Sequence, residues 1–229
     1  MNSIKFESNK ILLFFCLFPA LLTFVSFTLQ IGYPWTYGSG KVFMVIIPLF
    51  VFWRKAYTRR EIVKELGIIR TKGLLGLSVG LLFASVILLL YYIIFKPLLN
   101  PDNLIEKITS LGLDGFYWPM CVFLGCINSF VEEFYWRGFL ANLLSRRIAS
   151  ILLASLLAGV LFGLHHVFPL LHYFTWPQAL LFSVGTVIAS FIWTLMRLRG
   201  VSIIDCYISH IIADFSIFWV GWTIIQTKA

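Results

Sequence analysis

Eight ionisable side chains stand inside otherwise apolar stretches of the sequence: Glu132, Glu133 and Arg137 together, His165 and His166 together, and Asp205, His210 and Asp214 together. A charge at the centre of a membrane helix costs upwards of about 2.5 kcal/mol, so such groups usually face one another or water and mark a working site. Their types define the chemistry open to them. A carboxylate can take a proton from water, imidazoles can hold and polarise that water, and hydrogen-bonding groups can stabilise the oxyanion of an attacked carbonyl. Glu132, His166 and His210 would equally suit a zinc site of two histidines and one carboxylate.

Helical spacing divides the labour. Glu133 and Arg137 are four apart and share a face, so they are expected to pair as a structural unit. Glu132 projects about 100° away and is left for chemistry. Phe162 and His166 share a face, as do His210 and Asp214, whereas His165 points elsewhere. Counted from the basic end of each helix at about 1.5 Å per residue, Glu132, His166 and Asp214 all lie about 21 to 23 Å in. Three separate helices could therefore bring them to one level. No catalytic role is assigned to His165, which is off the motif face, or to His172, which falls in an outer loop rich in aromatics. Asp205 stands near the start of the last apolar run, where capping or solvation accounts for it. Phe134, Tyr135 and Trp136 are read as packing or interfacial residues.

In order and spacing, Glu132-Glu133-xxx-Arg137, Phe162-xxx-His166 and His210-xxx-Asp214 resemble the three motifs of the CPBP family, the CaaX prenyl-protease and bacteriocin-processing group of glutamate-dependent intramembrane endopeptidases. The resemblance covers residues 115–225, with Asp214 standing where many members have Asn. It implies Glu132 as general base, His166 as the group that helps to hold the water, and His210 with Asp214 orienting the scissile carbonyl. Glu133, Arg137 and Phe162 would support them. It implies no cofactor and a membrane-embedded or lipid-anchored substrate: a prenylated CaaX protein, a pheromone or bacteriocin precursor, or the membrane-anchoring tail of a secreted protein. The outward depth of the residues favours the last two.

The elements that must position these residues are membrane helices. Of 229 residues, 60% are hydrophobic and 12% charged, and the mean hydropathy is +0.91, far from the quarter charged typical of soluble domains. Apolar runs at Ile11–Gln30, Val42–Trp53 (short, with a start near Thr36 as the alternative), Leu74–Phe95, Phe116–Leu144, Ile151–Phe168, Trp176–Met196 and Ser202–Ile225 are each read as a span. The expected fold is all-α: a polytopic transmembrane bundle of seven helices, or eight if the fourth breaks near Gly138. It is taken as a single integral membrane domain over 1–229, with N-terminal spans and loops in 1–114 and the core helices in 115–225.

Of the eighteen Lys and Arg, thirteen fall on one set of alternate loops and four on the other, Lys41 among the four. This asymmetry puts the N-terminus in the cytoplasm, and the membrane is expected to be a bacterial plasma membrane. It also accounts for the net charge of +8 without nucleic acid. Thr58–Leu66 is expected as a short helix along the cytoplasmic surface, and 100–114 as an outer loop with a short amphipathic helix. The four cysteines lack paired spacing and are expected as reduced thiols. Two readings from other classes remain open. A proton-coupled transporter could use the same buried groups, and a non-enzymatic immunity protein could keep the fold.

Overall fold

The computed structural model describes residues 9–69, 71, 73–98, 105–106, 109 and 115–226, so most of the expected outer helix in 100–114 lies outside the described residues. In chain order the helices are α1 (Asn9–Thr23), α2 (Trp35–Arg54), α3 (Arg59–Leu66), α4 (Leu74–Leu90), α5 (Tyr117–Phe123), α6 (Ser129–Glu133), α7 (Ala141–Ser145), α8 (Ile151–Tyr173), α9 (Trp176–Leu198) and α10 (Ile203–Gln226). Wider π-helical turns extend α1 and α4 and link α5, α6 and α7. No strand occurs among the described residues.

Among the described residues six helices are long and apolar enough to cross a bilayer: 9–28, 35–54, 74–95, 151–173, 176–198 and 203–226. Large apolar side chains remain exposed along them, including Leu81, Ile93, Leu152 and Ile188. Only 11% of the most apolar stretch of α4 is buried inside the protein, which leaves that helix to face acyl chains. The chain is an integral membrane protein. The remaining expected span, 116–144, is helical but carries the charged motif. It does not break at Gly138, because the backbone widens into a π-turn over Phe134–Leu140 and continues into α7 with helical angles. The second span takes the longer of its two expected forms: α2 begins at Trp35, next to Thr36, and takes Lys41 inside the helix rather than in an outer loop.

The chain forms two compact units, Met1–Arg70 with Val131–Ile203, and Thr71–Phe130 with Ile204–Ala229. In the first, α8 and α9 form a hairpin. Ser150 caps α8 by accepting from the Leu153 amide, and Thr175 opens α9 in a reciprocal capping box with Gln178. The two helices approach at glycines: a Cβ on Gly159 would lie 2.8 Å from the Val187 carbonyl oxygen. α1 packs along α8, and Phe15, Met44, Phe52, Trp136, Phe139 and Phe162 share one core. α3 is a capped helix as expected, with Thr58 and Glu61 bonded reciprocally and Gly67 closing it at φ +72°. The Thr58 backbone amide and hydroxyl hold the Glu61 carboxyl below its usual range. The C-terminal end of α3 is docked on protein: Glu65 accepts two bonds from Arg146, and its carbonyl accepts from Asn142 and Arg197.

In the second unit α4 packs on α10 through Gly76 and Gly80, whose missing side chains leave room for the backbone at Asp205 and Ser209. Asp205 is buried rather than solvated, and it caps a different helix from its own. Its carboxylate accepts from Thr71 and, at 3.1 Å, from the Gly76 amide in the first turn of α4. Tyr117 and Tyr207 donate to the Phe218 and Cys126 carbonyls, tying α5 and the turn after it to α10.

Candidate active site

Glu132 lies next to the last residue of α6 inside the first unit, buried, and meets side chains from two other helices. From α2, Lys41 Nζ donates to Glu132 Oε1 at 2.5 Å. From α8, His165 Nε2 lies 3.5 Å from the same oxygen. His166 stands beside them: one ligand-type atom of each of Glu132, His165 and His166 falls within 4.8 Å of the others. The two imidazole centroids are 4.0 Å apart.

His166 is held in one tautomer by its own helix. Its Nδ1 lies 2.9 Å from the Phe162 carbonyl oxygen, and because a carbonyl only accepts, Nδ1 carries the hydrogen. The neutral ring therefore keeps its lone pair on Nε2, the form that can accept from water or bind a metal. His165 is fixed differently, stacked on Trp136 with centroids 5.5 Å apart and an interplanar angle of 24°.

One residue after Glu132 the chemistry is structural. Glu133 Oε1 is 3.0 Å from Arg137 Nη1, and both side chains are sealed from solvent. The guanidinium lies over the rings of Phe162 and Trp193 at 4.7 and 5.0 Å, a cation–π arrangement. Phe162 thus touches Arg137 and both histidines, with ring centroids 4.9 Å from His165 and 4.5 Å from His166. This is a physical reason for an aromatic residue one turn before His166.

His210 and Asp214 belong to the second unit. Their Nε2 and Oδ1 atoms are 3.6 Å apart, and Ser129 Oγ lies 2.5 Å from Asp214 Oδ2. The i,i+4 pairing expected on α10 is present, with Ser129 as a further partner.

Three residues near these sites escaped the sequence reading. Lys41 was assigned to an outer loop, and the alternative start of the second span near Thr36 was the signal that would have put it in an apolar element. His165 was set aside because it diverges from His166 on an ideal helix, yet it is the histidine nearest to Glu132 Oε1. Ser129 carried no signal beyond lying three residues before Glu132.

Residues 114–216 match the family model described as type II CAAX prenyl endopeptidase Rce1-like. Over this stretch the chain is similar to the Rce1-like family. The match agrees with the resemblance carried by the three motifs, and the Rce1-like segment contains Glu132, His166, His210 and Asp214 but not Lys41. No curated protein and no solved structure matches the chain.

Proposed function

We propose that this protein is a glutamic-type intramembrane endopeptidase that hydrolyses a peptide bond of a membrane-embedded or lipid-anchored substrate, in a bacterial plasma membrane with its N-terminus cytoplasmic. The observation that carries this reading is the buried cluster of Glu132 with His165 and His166 inside a segment that matches an endopeptidase family. Glu132 takes a proton from water, whose oxygen attacks the scissile carbonyl. His166, its Nδ1 tied to Phe162, accepts a hydrogen bond from that water through Nε2. Collapse of the tetrahedral oxyanion breaks the C–N bond, and the proton taken up by Glu132 passes to the leaving amine. His210 and Asp214 keep the roles that the motif resemblance implies, orienting the carbonyl and stabilising its oxyanion.

A zinc-dependent version has a specific observation in its favour, since Glu132, His165 and His166 form a carboxylate and two-imidazole donor set. Those residues would hold the ion, which would supply Lewis acidity and a more acidic water. Against it, Glu132 Oε1 already accepts from the Lys41 ammonium.

The test is a comparison of membrane-protein termini by mass spectrometry between cells carrying the wild-type protein and cells carrying Glu132→Gln. New termini that depend on Glu132 support the protease and identify its substrate class. Identical termini, with both proteins folded and present, overturn it in favour of a transporter or scaffold.

A further inference from the structure

We propose that Lys41 is a positioning residue for catalysis: it fixes the plane and direction of the Glu132 carboxylate, and it comes from a part of the chain outside the Rce1-like segment. The inference rests on the protease reading above.

The geometry sets Lys41 apart from an incidental surface cation. Its side chain is 11% exposed and that of Glu132 is 3% exposed, and Nζ lies 2.5 Å from Oε1. Lys41 is itself anchored one turn back, with Nζ 5.1 Å from the centroid of Tyr37. Tyr37 packs edge-on against Phe27 at 5.2 Å, and Phe27 also meets Tyr33 and His172. The ammonium therefore stands at the end of an aromatic stack drawn from the end of α1, the start of α2 and the end of α8.

A glutamate side chain has three rotatable bonds, and a water held by its carboxylate is aimed only as well as the carboxylate is. Here Oε1 is approached from two directions, by Lys41 from α2 and by His165 from α8. The neighbouring acid is neutralised separately by Arg137, so Lys41 is not needed to balance Glu133. Misplacement of a catalytic group by about 1 Å is enough to cost on the order of a hundredfold in rate.

The test uses the purified full-length protein in liposomes and a peptide containing the cleavage site revealed by Glu132-dependent termini. Lys41→Met is expected to lower kcat by about 10- to 100-fold with KM within about twofold of wild type. Lys41→Arg, which keeps the charge, is expected to stay closer to wild type. If Lys41→Met does not give a folded protein, Lys41→Gln, which keeps a donor, is read in the same way. A wild-type kcat in the neutral variant, a change confined to KM, or an Arg variant as slow as Lys41→Met overturns the positioning role while leaving the protease reading intact. If no Glu132-dependent terminus exists, the protease reading itself falls and takes this inference with it.

Discussion

Glu133 and Arg137 face each other across one helical turn, Oε1 to Nη1 3.0 Å, and the guanidinium is covered by Phe162 and Trp193 from α8 and α9. A buried ion pair adds little over an apolar pair of the same volume, but removing one partner strands the other charge at a cost of about 3–5 kcal/mol. Glu133→Gln and Arg137→Met should each lower the thermal unfolding midpoint in detergent markedly, and the double variant should recover part of the loss. Single variants that melt like wild type would show that the pair does not hold α6 to the hairpin.

The His166 ring is tied to the Phe162 carbonyl, so its Nε2 is the atom offered to water. His166→Ala should reduce cleavage by about 10²- to 10⁴-fold, the usual range for loss of a group that handles the attacking water. Its unfolding midpoint should change little. Steady-state cleavage with a parallel melt distinguishes this from a packing defect.

Asp205 gives a prediction of the opposite kind. It caps the start of α4 through the Gly76 amide and binds Thr71, within a unit that holds neither Glu132 nor His166. Asp205→Ala should destabilise the protein by about 1–2 kcal/mol, as loss of an N-cap acceptor does, while kcat per folded molecule stays near wild type. A collapse of kcat with unchanged stability would give Asp205 a catalytic role instead.

These residues also mark how far the sequence could be read. The apolar runs located the six membrane-length helices, most of them to within a few residues, because a run of that length has few other stable forms. The i,i+4 pairs Glu133–Arg137 and His210–Asp214 were legible because they lie within single helices. What failed depends on contacts between distant segments. Thr36, Gly38, Ser39 and Gly40 are poor helix formers, so starts near Thr36 and at Val42 were both open from sequence, and it is the fold, with Gly40 packed against Leu22, that runs the helix through. Lys41 was misplaced for that reason. Single-helix geometry says that His165 and His166 diverge, but not which of them a neighbouring helix will meet. Asp205 was read as either capping or solvated, and only the fold shows that it caps a helix 129 residues away.

Metal removal separates the two chemistries. Direct glutamate catalysis predicts that the purified protein stays active within about twofold in 1,10-phenanthroline and carries far less than one zinc per chain. Activity lost to the chelator and restored by zinc would move the mechanism to an ion held by Glu132, His165 and His166.

The claim on which the rest depends is that Glu132 is the base. Its most direct measurement is cleavage of the identified peptide by purified Glu132→Gln in liposomes, with a melt taken on the same preparation. Cleavage should fall by about 10²-fold or more while the melt stays near that of wild type. A folded Glu132→Gln protein that cleaves at the wild-type rate would contradict it.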